Sequence, residues 1–203
     1  KEIRQVNGHD LRRFVWKATS TWGDENDFKH FLPRILELMS DAYERHRLPD
    51  LFVIFQKLRY GHYELWSGQE QEAITIYLVA FWRWILADHP GSKEETLVAS
   101  EFLEAMLGEI DDFAPFLNAW RDMRMPSSLR QLSEMIRNHS WGTPLAQNSQ
   151  ILAWLCEDGT KEMLEEGFYA YMNENWAEEL VLAVEVLEWL RTPSPQPSLS
   201  QQK

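Results

Sequence analysis

The sequence predicts an all-α protein of about ten short antiparallel helices, arranged as a HEAT-like helical stack or a compact helical bundle. Three observations predict it. Apolar residues recur at helical spacing (i, i+3, i+4) along most of the chain, and no stretch alternates with period two long enough to argue for a strand. Glycines, prolines and capping residues fall between the periodic segments, as punctuation. Ten tryptophans in 203 residues supply a large and rigid core, since an aromatic side chain buries about 150–250 Å².

Taken in order, Asp10 is placed to cap a first helix that carries Leu11, Phe14, Val15 and Ala18 on to the region of Trp22, with Gly23 as a left-handed stop. A second helix starts at Asn26 or Asp27 and gathers Phe28, Phe31, Leu32, Ile35, Leu38 and Met39 on one face. Pro33 either kinks this helix or marks its true first turn. Pro49 and Asp50 open a nearly all-apolar helix from Leu51 to Tyr60, closed by Gly61. Ser67–Glu70 and Ser92–Glu95 both read as capping boxes, in which the Ser hydroxyl and the Glu carboxylate each satisfy a free backbone N–H. Residues 68–87 form the most hydrophobic segment between them, apolar almost all round and therefore expected at the buried centre. Further helix starts are read at Asp111 or Asp112, Ser127 or Ser128, Thr143 before Pro144, Thr160 and Asn175.

Residues 1–191 are expected to form one helical domain, and the Pro/Ser/Gln-rich stretch 192–203 to be disordered. One internal echo exists. Asn26-Asp27-Phe28-x-x-Phe31-Leu32 recurs as Asp111-Asp112-Phe113-x-x-Phe116-Leu117, an acidic cap followed by an apolar stripe, too generic a pattern to establish a repeat.

The formal charge of −12 is unevenly spread: residues 1–66 carry +1 and residues 67–203 carry −13. Such acidity argues against nucleic acid, whose binding needs Lys and Arg to displace phosphate counterions, and against anionic membrane surfaces. The single cysteine, Cys156, has no partner for a disulfide and lies in the apolar run Ile151–Cys156, so a buried, inert thiol is expected. The most apolar run, Ile74 to Leu86, is interrupted by Thr75 and Arg83 and falls short of the roughly 20 residues that a membrane span needs. No leader peptide is visible, although the chain opens on Lys1 rather than Met, which leaves room for a preceding segment; a cytoplasmic protein is the simplest reading.

No metal-ligand spacing, nucleophile motif or phosphate loop is present, so no cofactor is expected. Asp27, His30, Arg34 and Glu37 fall on one helical face, with Asp24 close by, a set able to share a metal or pass a proton. Helix capping and a solvated ion-pair face explain the same residues more simply. An EF-hand reading fails because Phe28 occupies a ligand position. The His9-Asp10 dipeptide of metal-dependent phosphohydrolases lacks its upstream histidine. Tyr60, Tyr63, Trp66, Tyr77, Phe81, Trp82 and Trp84 would line an apolar pocket or simply form core, with His62 and Arg83 as the polar residues among them. The candidate binding residues are therefore Asp24, Asp27, His30, Arg34, His62 and Arg83. The leading expectation is a non-enzymatic helical module that binds a protein partner. The alternative is a small-ligand binder or enzyme with an aromatic-lined pocket between the central helices. A metal-assisted hydrolase using Asp27 and His30 ranks third.

Residues 19–40, with Thr21-Trp22-Gly23-Asp24, Asp27-Phe28-Lys29-His30-Phe31-Leu32-Pro33-Arg34, resemble a family of uncharacterised bacterial helical proteins that shares this signature. Lys57-Leu58-Arg59-Tyr60 and Asp112-Phe113-Ala114-Pro115-Phe116-Leu117-Asn118-Ala119-Trp120 look similar too, whereas Gly61-His62-Tyr63 departs from the family's small-residue-plus-Trp pattern. The resemblance implies bacterial origin and an all-helical fold, and carries no activity with it.

Overall fold

The computed structural model describes residues 2–88, 97–138 and 144–192. It is all-α, with no strand among the described residues. A 3-10 turn (Ile3–Gln5) precedes α1 (Gly8–Lys17), α2 (Glu25–Met39), α3 (Ala42–Arg45) and α4 (Leu51–Tyr60). A second 3-10 turn (Tyr63–Leu65) leads to α5 (Gly68–Ala87). Then come α6 (Ala99–Met106), α7 (Ala114–Asp122), α8 (Pro126–Asn138), α9 (Pro144–Gln147), α10 (Ser149–Leu155), α11 (Asp158–Ala170) and α12 (Glu178–Arg191).

The core is aromatic and continuous. Phe102 of α6 packs its ring against Phe55 of α4, Phe81 and Trp82 of α5, and Phe116 of α7, at centroid distances of 5.6, 5.7, 5.5 and 6.2 Å. Trp82 then meets Trp120 edge-on at 5.1 Å, and Trp120 stacks on Trp154 of α10 at 5.8 Å. Such ring pairs contribute about 0.5–1.5 kcal/mol each beyond area burial. The indole N–H groups of Trp82 and Trp120 donate to the carbonyls of Phe116 and Ser128, so these buried rings leave no polar atom unpaired. Helix pairings reach across the chain: α4 meets α6, α5 meets α7 and α8, and α8 meets α12. The result is a compact assembly around one core, not a stack in which each unit touches only its neighbour. α11 and α12 run antiparallel, held along one side by Lys161–Glu188 and Asp158–Arg191 pairs.

Several boundaries differ from the sequence reading, each for a local reason. Asn7, not Asp10, caps α1, and Asp10 completes the capping box from inside the helix. α1 stops at Lys17, five residues before Trp22, because Ala18 turns out of the helix with ψ 142° and Thr19 takes a left-handed φ of 59°. Asp24 caps α2 instead of Asn26 or Asp27; its carboxylate accepts from the N–H groups of Asn26 and Asp27, and Asp27 returns a bond to the Asp24 N–H. Gly23 does adopt a left-handed φ of 71°, and a Cβ there would strike the Asp27 carboxylate at 2.7 Å, so the cap itself demands glycine. α2 runs through Pro33 without ending.

The Ser67 capping box forms as read. α5, however, is not buried all round: its inner face holds Ile74, Leu78, Phe81, Trp82, Ile85 and Leu86, while Ile76 and Trp84 are exposed. Ser127 and Ser128 lie inside the first turn of α8, which Pro126 opens. Thr160 lies within α11, buried, its hydroxyl donating to the Trp154 carbonyl, and α12 begins three residues after Asn175. Cys156 is half-buried at the end of α10 rather than fully enclosed. The echo between Asp27-Phe28 and Asp112-Phe113 does not mark a structural repeat, since Phe28 sits inside α2 whereas Phe113 precedes α7. The Ser92 capping box, Thr143 and the stretch from residue 193 lie outside the described residues.

Candidate functional site

An open groove of about 1230 Å³ lies in the first half of the fold. The turn after α1, the corner after α4, the first half of α5 and the connection from α6 to α7 form its walls. Apolar surface comes from Tyr60, Ile76, Ile110 and Pro115, with Ile76 63% and Tyr60 52% exposed. Its charged residues are Arg59, Glu64, Glu72, Glu109, Asp111 and Asp112, so carboxylates dominate.

Two of the walls are strained. Among the described residues, the only non-glycine residues with positive φ are Thr19 (59°) and His62 (51°), and both line this groove. A β-branched residue in the left-handed region is a true outlier, and each such residue costs about 1–3 kcal/mol. The sequence invites the opposite arrangement at the corner after α4, with Gly61 taking the left-handed position. Gly61 has an ordinary φ of −83°. It is needed for space instead: a Cβ would lie 3.2 Å from the Lys57 carbonyl, and the Trp66 indole donates to the Gly61 carbonyl at 2.7 Å. The left-handed turn is thereby passed on to His62.

The carboxylates differ in what holds them. Glu64 sits below the usual carboxylate range, chiefly through a hydrogen bond from its own backbone N–H, aided by His62, whose Nδ1 is 3.4 Å away. Asp112 accepts from the Ala114 N–H at the start of α7. Burial pushes Glu109 above its ordinary value, only partly opposed by Arg59, and its Oε2 is shielded without a hydrogen-bond partner. Arg59 spends its Nη1 on the Gly108 carbonyl. Among the described residues, Glu72, Glu109 and Asp111 make no ion pair. Other carboxylates do find cations, as in Glu25 and Glu70 with Lys29, Glu37 with Arg34, Glu157 with Arg121 and Glu166 with Arg124. The groove thus concentrates negative charge that the protein does not neutralise itself.

Of the six residues singled out from sequence, His62 alone lines the groove. Asp24 and Asp27 are engaged in the α2 capping box. His30 is exposed and meets the Phe31 ring edge-on. Arg34 ties α2 to the N-terminal turn, donating from Nε to the Val6 carbonyl at 2.7 Å and pairing with Glu37. Arg83 pairs with Asp122 on the outside of α5 and α7, 3.3 Å apart. The aromatic cluster divides. Phe81 and Trp82 pack in the core, Tyr77 donates its phenol to the Leu36 carbonyl, and Tyr60 and Tyr63 reach the groove. Among the described residues, no three His, Cys, Asp or Glu side chains converge as a metal site needs, and no helix is long and apolar enough to cross a membrane.

Sequence reasoning missed Thr19, Glu72, Glu109 and Asp111. The one available signal was the acidic run Gly108-Glu109-Ile110-Asp111-Asp112, which combines a glycine break with consecutive charges. Fold and groove together describe an all-α protein with an open, acidic groove. Compared with family models, curated proteins and solved structures, the chain finds no match.

Proposed function

We propose that this protein is a non-enzymatic interaction module whose docking site is the groove between α1, the α4 corner, α5 and the α6–α7 connection. One observation carries the reading: the strained backbones of Thr19 and His62 both line one concavity. Strain of this kind persists where a binding geometry requires it. The exposed Ile76 and Tyr60 side chains supply apolar anchors of the sort that interfaces bury. A catalytic role finds less support, since among the described residues no hydroxyl lining the groove is hydrogen-bonded to a His or a carboxylate. The protein partner, the cytoplasmic setting and the bacterial origin implied by residues 19–40 belong to the same proposal.

The test is Ile76→Arg, which places a long side chain across the groove from a position already exposed, so the fold should be unaffected. Affinity capture from the native lysate should recover a stoichiometric partner with the wild type and not with this variant. A partner retained equally by both would remove the groove from consideration.

A further inference from the structure

We infer that the groove takes a basic amphipathic segment of a partner protein, with Lys or Arg side chains meeting Glu72, Glu109 and Asp111 and apolar side chains resting on Ile76 and Tyr60. The inference rests on the groove being the docking site and specifies its occupant.

Charge complementarity is the first argument. Five carboxylates and one arginine line this single concavity, and among the described residues Glu72, Glu109 and Asp111 have no ion-pair partner. A cationic side chain entering the groove therefore breaks no existing pair. Glu109 adds to this: burial already disfavours its charge and Arg59 relieves that only in part, so a cation lodged in the groove would stabilise the carboxylate further.

Distribution of the charges is the second argument, and it separates a peptide from a metal ion. Glu72 lies on α5 whereas Glu109 and Asp111 lie on the α6–α7 connection, and these acids do not converge into a metal-binding group. Carboxylates spaced along a groove fit cations spaced along a chain. The apolar surface is the third argument. Exposed Ile76 and Tyr60 would give a bare polycation nothing to bury, but they suit the alternate face of an amphipathic segment. Nucleic acid is excluded by the same negative field that attracts the basic segment.

The probe is a fluorescently labelled Lys/Leu amphipathic peptide, with a Glu/Leu peptide of the same pattern as its counterpart, read by anisotropy at low and moderate salt. The Lys/Leu peptide should bind the full chain, and the Glu/Leu peptide should not. The triple variant Glu72→Gln, Glu109→Gln, Asp111→Asn should lose about tenfold in affinity, from three solvent-screened charge contacts. Glu174→Gln with Glu185→Gln removes charge from the α11–α12 side, outside the groove, and should change little. Circular dichroism confirms that each variant keeps its helices. Binding of the Glu/Leu peptide that Ile76→Arg abolishes would keep the groove as a site and overturn its basic occupant. Equal losses in the groove and control variants would reduce the effect to overall acidity and overturn the inference, as would no binding of the Lys/Leu peptide at low salt.

Discussion

Gln131 offers the sharpest test of how this fold is held together. It lies on α8 with 3% exposure and joins the end of α5 to the start of α6. Its Nε2 donates to the carbonyls of Ile85 and Asp88 at 2.8 and 2.6 Å, and its Oε1 accepts from the Ala99 N–H at 2.8 Å. Gln131→Met keeps the side-chain length and deletes all three bonds. The Ile85 carbonyl retains the Asp88 N–H, and the Asp88 carbonyl is only part-buried, so neither is stranded. The Ala99 N–H is buried and loses its partner, which costs about 1–3 kcal/mol. Two further lost bonds at about 0.5–1.5 kcal/mol each bring the total to roughly 2–6 kcal/mol. That is a large part of the typical stability of about 5–15 kcal/mol. Urea unfolding followed by tryptophan fluorescence should show the loss as a lower midpoint with unchanged slope. Gln131→Glu should do worse at neutral pH, since a carboxylate faces two carbonyls without a proton to donate, and should recover partly in acid. A Met variant within about 1 kcal/mol of wild type would refute the assignment of Gln131 as the joint between α5 and α6.

Two other outcomes follow from the same geometry. Thr19→Gly relieves a left-handed β-branched residue at the expense of backbone entropy, so stability should hold or rise by up to about 1 kcal/mol while binding in the groove weakens; a drop in the urea midpoint would contradict the strain. Lys57 is buried on α4 over the Tyr60 ring, and its ammonium is held below its ordinary value first by burial and then by Lys17. Because the folded value is depressed, the charged lysine opposes folding at neutral pH, and this opposition fades as pH rises from the depressed value to 10.5. Lys57→Met should therefore raise the urea midpoint at pH 7 and raise it less at pH 10; a constant difference would contradict the buried charge.

Much of the fold was legible because its signals are local. Ser67 and Glu70 sit three residues apart, and a capping box needs nothing else. Gly61 does end α4. The end of α1 was illegible, because a threonine in the left-handed region runs against its own preference and only the surrounding packing imposes it. The starts of α8 and α12 misled for a related reason: Ser128 and Asn175 are good caps in isolation, yet burial draws Ser128 into the helix and Asn175 lies ahead of a turn that ends at Ala177. The groove was harder still. Thr19, His62, Glu72 and Asp111 come from four separate stretches of chain, and in a sequence this acidic nothing marks which carboxylates will be left without a cation. His62 was singled out for its aromatic neighbours, and it matters instead for its backbone.

Whether the groove is where this protein meets its partner can be read from amide hydrogen exchange with and without the Lys/Leu peptide. Protection should appear in the stretches 19–20, 59–64, 71–76 and 109–112, which carry most of the groove's lining residues, and leave α11 and α12 unchanged. Protection centred on α11 and α12, or spread evenly over the acidic surface, would contradict that role of the groove.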